Sequence, residues 1–345
     1  MNDSTELVSI VIVNYNGAHL LRNCLDSVLA QHYPRFEVIL VDNCSDDDSV
    51  RFVKERYTSV RIVQATENLG FAGGNNFGVR EAHGALIVLL NNDTVVQPGW
   101  LQGLVDAVAP AEVAVASSLV KTEGIPDKYY EKNGALNFSG HNVMRVFERP
   151  CNIGYAGGAS LIFKKAILQA PFDEEYFAYG EDVYLSLRAR FMGYSIVHTN
   201  ASVVRHLGGA TTRQHGTKRL SMLQERNRLL NLLLFFSGTT LLKTVPFIVA
   251  NLAAKSIASL ISGRYSLAAV CRAHAWVVAH PRIILRKRRA LRTGFTAKDS
   301  DVTTWMTARV TQGETIPGRF ANTVAMAYCR IVGLKTIEAL PPGTR

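Results

Sequence analysis

Residues 85–94, with the sequence ALIVLLNNDT, decide the fold of this chain. The five consecutive apolar residues from Leu86 to Leu90 predict a strand that is buried on both faces, as in a parallel sheet. The apolar run then ends at two amides and a carboxylate. Because ligands of open α/β sheets bind outside the carboxyl ends of the strands, we expect Asp93 to lie where a ligand or a metal is held.

Two earlier segments repeat this pattern of an apolar strand followed by polar side chains. Residues 8–13 run into Asn14, and residues 36–41 run into Asp42. Apolar spacing and turn signals predict two helices and a third strand, over residues 20–31, 46–57 and 60–65. Repeated strand and helix units favour a parallel sheet with right-handed crossovers, so Asn14, Asp42 and Asp93 are expected along one edge of it.

A glycine-rich loop, residues 67–78, follows the third strand. Its glycines can bring backbone N–H groups close to a phosphate, and the segment that continues to Ala82 has a helical pattern. The loop contains no Gly-x-Gly-x-x-Gly and does not follow the first strand, so it differs from the dinucleotide-binding fingerprint. A tight connection that binds nothing is the alternative interpretation of such a loop.

Seven short blocks of sequence occur in a characteristic order across residues 8–210. They are VIVNYNG (11–17), EVILVDN (37–43), NLGFAGGNNFG (68–78), LLNND (89–93), GYAGGAS (154–160), FDEEYFAYGED (172–182) and HLGGA (206–210). In this order the blocks resemble inverting nucleotide-sugar glycosyltransferases of family 2. The most similar subset is the rhamnosyltransferase-like enzymes of bacterial polysaccharide biosynthesis.

The resemblance implies an α/β fold of the GT-A type, a nucleotide-diphospho-sugar transferase fold with a Rossmann-like, mostly parallel sheet. It implies inverting transfer of one sugar from a nucleotide diphosphate donor to a saccharide or a lipid-linked saccharide. The donor to expect first is dTDP-rhamnose. A divalent metal, Mg²⁺ or Mn²⁺, would offset the charge of the leaving diphosphate.

The resemblance also implies roles for individual residues. Asp182, in the pair Glu181-Asp182, matches the catalytic base, and adjacent carboxylates that are partly buried have pKa values suited to that task. Asp93 takes the last position of an Asp-x-Asp-like metal motif, and His206 lies near a histidine of the metal or diphosphate site. The residues expected to line the donor pocket are Asn14, Asn16, Asp42, Asn68, Gly70, Asn75, Asn91, Asn92 and Arg188.

The chain departs from the family pattern at two of these blocks. Asn91 stands where many relatives carry Asp, and Tyr184 replaces an acid in Glu-Asp-x-Asp-Leu-x-x-Arg. A non-catalytic scaffold or sugar-binding protein of the same fold is therefore an alternative, and a dinucleotide-dependent oxidoreductase is a weaker one. Arg188 either contacts the diphosphate or pairs with Glu181, and His206 is either a ligand or a structural histidine.

Charge is divided unevenly along the 345 residues, whose net charge is +10. Residues 1–200 contain 16 Lys and Arg against 23 Asp and Glu, a net −7, and residues 201–345 contain 22 against 5, a net +17. The basic half also holds apolar stretches, none of which reaches the roughly 20 uninterrupted residues of a spanning helix. The pattern predicts three parts, namely a GT-A catalytic domain over 1–215, a basic helical extension over 216–292, and a tail with a short helix over 293–345.

Apolar faces beside clustered Arg and Lys suit helices that lie in the interface of an anionic bilayer. Helices packed on the catalytic domain or on a second subunit are the alternative, which leaves a homo-oligomer open. The basic run 286–292 is accompanied by no nucleic-acid-binding motif, so no nucleic acid partner is expected. Five scattered cysteines indicate a reduced, cytoplasmic protein. We therefore expect a peripheral protein on the inner face of the cell membrane.

Overall fold

The computed structural model describes residues 6–122, 134–144, 151–207, 217–262, 266–311 and 315–341. Strands and helices alternate at the start of the chain, as the sequence predicts. These elements are β1 (Val8–Asn14), α1 (Ala18–Leu29), β2 (Phe36–Asp42), α2 (Ser49–Arg56), β3 (Val60–Gln64), α3 (Gly70–Glu81) and β4 (Leu86–Asn91).

Strands of two to twelve residues and two helices follow β4. They are β5 (Thr94–Val96), α4 (Trp100–Val108), β6 (Val113–Thr122), β7 (Gly134–Leu136), β8 (Asn142–Met144), β9 (Cys151–Asn152), β10 (Ser160–Lys164), α5 (Glu181–Phe191) and β11 (Ser195–His206). Strands β7 and β8 pair with each other in a separate small sheet, and the others belong to one central sheet.

The central sheet has the strand order β3-β2-β1-β4-β10-β6-β11-β5, with β9 on β11. The first four strands in this order are parallel, whereas β10 is antiparallel to both of its neighbours. The register pairs Asn14 with Asp42 and Val13 with Asn91, so the ends of β1, β2 and β4 lie at one level. The predicted α/β fold class and the predicted polar edge of the sheet are both confirmed.

Both faces of the sheet are covered by helices, and β4 contributes to both cores. Ile87 and Leu89 join one hydrophobic cluster, and Val88 and Leu90 join the other. This alternation follows from the period of two in a strand, and it explains why the sequence of β4 is apolar without interruption. Asn91 is the first residue of the strand at which the continuous apolar run gives way to a polar side chain.

Most of the glycine-rich segment is helix rather than loop. Gly78 lies on the face of α3 that packs against the sheet, where an added Cβ would be 2.3 Å from Val11 Cγ1 and 2.8 Å from Val41 Cγ2. Gly74 similarly approaches Val13. These two glycines therefore serve close packing of α3 on β1 and β2, and the predicted phosphate-binding use of this segment applies at most to its start near Gly70.

The C-terminal part is helical, as predicted. It contains α6 (Thr217–Phe235), α7 (Gly238–Ser262), α8 (Leu267–Ala279), α9 (Pro281–Arg292), α10 (Asp299–Thr303) and α11 (Ile316–Ile331). The end of α6 reaches the core of the sheet domain, where Leu234, Phe235 and Phe236 join the same hydrophobic cluster as Ile87. The first helix of the extension is therefore part of the main core.

Helix α7 is longer than the sequence pattern predicts. The expectation that no run reaches spanning length was wrong, because the segment from Gly238 to Ile261 is long and apolar enough to cross a membrane by length and composition. Lys243 and Lys255 do not interrupt the helix. Lys255 instead forms an ion pair with Glu225 of α6, with 2.5 Å between its Nζ and Oε2.

We expect Gly78→Ala to destabilise the protein by about 1–3 kcal/mol, because the new methyl group overpacks the contact of α3 with Val11 and Val41. Gly238→Ala is the control, because an added Cβ at this helical position has no neighbour within 4 Å. The two variants are compared by urea unfolding. Equal midpoints would contradict the packing role of Gly78.

Candidate active site

The amides at the ends of β1 and β4 hold the loops of the polar edge. Asn92 Nδ2 donates to Asn14 Oδ1 at 2.8 Å, and Asn14 Nδ2 donates to Ser49 Oγ at 2.9 Å. Asn16 has a positive φ of 50° and accepts from the backbone N–H of Asp46 at 2.8 Å. Three predicted donor-site residues thus shape this edge through contacts within the protein.

The end of β2 presents an acceptor atom that the protein does not use. Asp42 Oδ1 is buried without a hydrogen-bond partner, whereas Oδ2 accepts from Ser45 N at 3.4 Å. The next residue, Asn43, donates to Asn68 Oδ1 at 3.0 Å, and the same oxygen accepts from Gly70 N at 2.9 Å. The start of the glycine-rich segment is therefore fastened beside Asp42. Asn43 was missed by the sequence analysis, although it directly follows a strand.

Asp93 and His206, the two predicted metal ligands, are in contact. His206 Nε2 lies 3.0 Å from Asp93 Oδ1 and 3.4 Å from Asn91 Nδ2. The antiparallel pairing of β11 with β5 sets this contact, because it places His206 opposite Thr94. His206 Nδ1 and Asn91 Oδ1 are buried without partners, so two polar atoms of this cluster have unused hydrogen-bonding capacity.

The acidic pair lies in the first turn of α5. Tyr155 Oη donates to Asp182 Oδ2 at 2.6 Å, and the backbone N–H groups of Gly158 and Val183 donate to the same carboxylate at 3.3 and 2.8 Å. Glu181 Oε2 is buried without a partner. Several groups therefore donate hydrogen bonds that stabilise the Asp182 carboxylate, whereas the Glu181 carboxylate is stabilised only by its own backbone N–H.

Burial raises the pKa of both acids. The pKa of Glu181 lies well above its ordinary value, first because the carboxyl is buried and then because Asp182 is adjacent. Burial also raises the pKa of Asp182, while the hydrogen bond from Tyr155 opposes that rise. The pKa of Tyr155 is raised well above 10 by burial and by the neighbouring Asp182 charge, so its hydroxyl remains a donor. The pair is suited to proton transfer, with Asp182 the member more readily ionised.

Two predicted donor-site residues have other contacts. Asn75 is buried in α3, and its Nδ2 donates to the carbonyl of Phe71 in the same helix at 2.8 Å. The guanidinium of Arg188 donates to the carbonyl of Ala170. No hydrogen bond joins Arg188 to Glu181 among the described residues, so the structure favours neither of the two roles expected for Arg188.

The departure at Tyr184 has a packing explanation. Its ring is buried and meets the rings of Tyr176 and Phe235 edge to face, with centroids 5.4 and 5.3 Å apart. An acid at this position would be buried among aromatic rings contributed partly by α6. The aromatic residue therefore matches the packing of α6 in this chain, and its presence does not remove a group from the acidic pair.

Two residues of α6 that the sequence analysis did not single out also contact this region. Asn227 and Asn231 are buried and donate to backbone carbonyls of residues 176–180, the loop that leads into α5. Their spacing of four residues indicates only a shared helix face. The partner loop is distant in sequence, so no local signal could have identified it.

Part of the chain matches a known protein family. Residues 9–171 match the family model described as glycosyl transferase family 2. The O-antigen biosynthesis protein RfbC of Myxococcus xanthus is 32% identical over 227 residues, which cover 61% of this chain and 18% of RfbC. Glycosyltransferase AglE of Haloferax volcanii is 25% identical over 215 residues, which cover 60% of this chain and 68% of AglE. The chain thus spans less than a fifth of one of these relatives and about two thirds of the other.

Solved structures share the fold at low sequence identity. The mannosyltransferase PcManGT from Pyrobaculum calidifontis, in complex with GDP-Man and Mn²⁺, has a TM-score of 0.53 and 19% identity over 94% of this chain and 85% of that protein. GalNAc-T7 with UDP, GalNAc and Mn²⁺ has a TM-score of 0.59 and 16% identity over 81% of this chain and 58% of that protein. These likenesses establish the GT-A fold.

We expect Glu181→Gln to stabilise the protein at neutral pH, because the buried carboxyl of Glu181 has a folded-state pKa well above its ordinary 4.5. The folded state then binds the proton more tightly than the unfolded state, so stability falls as pH rises through 4.5 towards the raised pKa. The amide removes this loss, which amounts to about 1.4 kcal/mol for every tenfold difference in proton affinity between the two states.

Melting temperatures from pH 4 to pH 8 measure the effect. The melting temperature of Glu181→Gln should exceed that of the wild type by most at pH 8, and the difference should vanish in acid. Glu112→Gln, at an exposed position, is the matched control and should follow the wild type throughout. A gain that is independent of pH would contradict the titration of a buried Glu181.

Proposed function

We propose that this chain, whose residues 9–171 form a family 2 glycosyltransferase domain within a GT-A fold, transfers a sugar from a nucleotide diphosphate donor to a hydroxyl group of a saccharide or lipid-linked saccharide. The observation that carries the proposal is the Glu181-Asp182 pair, in which Glu181 is buried and Asp182 half-buried, beside a polar sheet edge with unpartnered acceptor atoms. The names of the relatives, which include O-antigen biosynthesis, support a role in cell-surface polysaccharide synthesis.

Asp182 is the proposed general base. Its carboxylate accepts the proton of the acceptor hydroxyl while that oxygen attacks the anomeric carbon from the face opposite the leaving diphosphate, which inverts the configuration. Burial brings the pKa of Asp182 up towards the working pH, and Tyr155 keeps the carboxylate in one orientation. The free Oδ1 of Asp42 is suited to a hydroxyl or N–H of the nucleoside.

A divalent metal fits the cluster at Asp93. The carboxylate of Asp93 and the imidazole of His206 would hold Mg²⁺ or Mn²⁺, and the buried, unpartnered Nδ1 of His206 and Oδ1 of Asn91 show spare ligating capacity. The described residues contain no group of three or more His, Cys, Asp or Glu side chains that could hold a metal ion. A bound ion would neutralise charge on the diphosphate. With Asn91 in place of an acid, the metal should bind mainly together with the nucleotide.

The scaffold alternative loses one of its two supports. It rested on Asn91 and Tyr184, and the aromatic packing of Tyr184 gives that residue a structural explanation. The oxidoreductase alternative is weakened because Gly74 and Gly78 pack against the sheet rather than forming a phosphate loop. The transferase remains the best-supported function.

The donor is tested by thermal shift with UDP, GDP and dTDP and with their sugars, dTDP-rhamnose first, each with and without Mn²⁺ or Mg²⁺. A ligand at 100 times its Kd stabilises by about 2.7 kcal/mol. We expect a metal-dependent shift with one nucleotide family, and we expect Asp93→Ala to abolish it. The absence of any thermal shift would favour the alternative that the protein is a non-catalytic scaffold.

The same panel separates binding from chemistry. Asp182→Asn should keep the nucleotide shift but lose transfer by about 10²–10⁴-fold, because only the proton acceptor is removed. Asp106→Asn, which changes an exposed carboxylate that accepts from Gln102 on α4, is the control and should retain full turnover. Full turnover by Asp182→Asn would contradict the base assignment.

We also propose that the protein is peripheral on the cytoplasmic face of the membrane. Exposed apolar side chains run along α7 and α11, including Leu242 (74% exposed), Leu260 (81%), Ile316 (84%) and Phe320 (72%). Exposed arginines lie on α8, α9 and α11, and the net +17 of residues 201–345 suits an anionic surface. The arginines are Arg272, Arg282, Arg286, Arg289, Arg319 and Arg330.

The contacts of α7 favour a helix that lies along the bilayer over one that crosses it. Its Lys255 pairs with Glu225, and its Phe247 ring packs against Phe138 with centroids 5.4 Å apart. Tyr328 of α11 donates to the carbonyl of Lys243 at 3.0 Å. These contacts hold α7 against the rest of the protein, so only its outer apolar face is free to enter the lipid.

Wild-type protein should sediment with phosphatidylglycerol vesicles and not with phosphatidylcholine vesicles. Leu242→Glu combined with Val249→Glu should weaken this binding at least tenfold, because each exposed side chain would otherwise bury apolar area worth about 1.5–3 kcal/mol. Gln102→Glu with Ala111→Glu adds the same charge at exposed positions of the sheet domain and should bind as the wild type. Equal binding by all three proteins would contradict the proposed surface.

A further inference from the structure

The loop that leads into the acidic pair has an unusual backbone. Phe177 and Tyr179 have positive φ values of 60° and 68°, and Gly180 follows with 81° at the N-cap of α5. Side chains other than glycine rarely adopt such values, and they persist where the surroundings hold them. Because Asp182 comes two residues after Gly180, the path of this loop sets where Asp182 begins the helix.

Asn227 holds this loop by its backbone. Its Nδ2 lies 2.9 Å from the carbonyl oxygen of Tyr176, 3.1 Å from that of Ala178 and 2.7 Å from that of Tyr179. Its Oδ1 accepts from Arg226 Nε at 3.0 Å, which directs the amide N–H groups towards the loop. The two N–H donors of this fully buried amide thus lie within hydrogen-bond distance of three carbonyls of an irregular segment.

Asn231, one helical turn later, holds the end of the same loop. Its Nδ2 donates to the carbonyl of Gly180 at 2.8 Å, and its Oδ1 accepts from Tyr176 Oη at 2.8 Å. An added Cβ at Gly180 would lie 3.2 Å from Asn227 Cβ and 3.3 Å from Asn231 Nδ2, so α6 passes very close to the start of α5.

The loop also contacts the proposed donor side. The carbonyl of Phe177 accepts from Ala72 N at 3.0 Å, and an ideal Cβ on Gly70 would lie 2.4 Å from that same oxygen. Residues 176–180 therefore lie between α6, the start of α3 and the acidic pair. A displacement of the loop would move Asp182 relative to the glycine-rich segment.

We propose that Asn227 and Asn231 are positioning residues for Asp182, and that they act by holding residues 176–180 in their strained path. The inference rests on the proposed function, in which Asp182 is the general base. It makes the first helix of the basic extension a part of the active site. Neither asparagine touches the substrate in this proposal.

Asn231→Ala carries the test. The variant should fold, because the carbonyl of Gly180 keeps its hydrogen bond from Tyr184 N at 3.0 Å. We expect kcat to fall about 10–100-fold, since a small misplacement of a reacting group has effects of that order. The KM for the nucleotide sugar that gives the metal-dependent thermal shift should remain at its wild-type value. Asn227→Ala should have the larger effect on both kcat and thermal stability.

The pH profile is the second measurement. Tyr155 and Glu181 are the titratable groups that face Asp182. A displaced Asp182 loses part of the hydrogen bond from Tyr155 that favours its charged form, so the acidic limb of kcat/KM should move to higher pH. If the substitution only destabilised the fold, the acidic limb of kcat/KM would stay at its wild-type pH.

Asn322→Ala provides a matched control. Asn322 is also a buried asparagine of the C-terminal part, and it holds the backbone of Val310 and Thr311. Its loss should lower thermal stability while kcat and the pH profile stay as in the wild type. The same changes in kcat and pH profile for Asn322→Ala as for Asn231→Ala would overturn the inference.

Asp182→Asn, assayed in parallel, separates the two hypotheses. Full turnover by Asp182→Asn means that the base assignment fails. If Asp182→Asn is inactive and Asn231→Ala has wild-type kcat and a wild-type pH profile, the positioning role fails and the proposed function stands. If Asp182→Asn is inactive and Asn231→Ala has a lower kcat and a shifted pH profile, the results support both the base assignment and the positioning role.

Discussion

The parallel pairing of β1 with β2 and β4 is the constraint on which the rest of the structure depends. Because helices cover both faces of these strands, their centres are apolar, and apart from Ser9 and Glu37 near the starts of β1 and β2 the polar residues lie where the strands end. The shared register then brings Asn14, Asp42 and Asn91 to one level without any direct attraction between them. The polar edge is thus a consequence of how the core is built.

The parts of the fold that were predictable are those with local signals. The continuous apolar run of β4 and the helical spacing of α1 depend on neighbouring residues only, and both elements occur where expected. The antiparallel placement of β10 and the full length of α7 depend on partners distant in sequence. Lys255, for example, reads as an interruption until its ion pair with Glu225 is known.

The candidate site divides in the same way. Motif order pointed to Asp93, His206 and Asp182, and the block GYAGGAS (154–160) contains Tyr155. No local signal, however, showed that Tyr155 would contact Asp182 or that Asn227 would contact the loop before it. Tyr155 lies in the connection between β9 and β10, and Asn227 belongs to a helix whose composition suggested a membrane. Nothing in the spacing of Arg188 could show that its guanidinium meets the carbonyl of Ala170.

Helix α6 has different partners along its length and around its faces. Glu225 meets Lys255 of α7, Asn227 and Asn231 meet the loop before α5, and Phe235 stacks on other aromatic rings of the core. The change of charge near residue 200 therefore does not coincide with a boundary of folding. If the genes of two related proteins recombined near residue 200, the side chains of α6 would be separated from the partners with which they pack. We therefore expect the sequence of α6 to evolve together with that of the sheet domain.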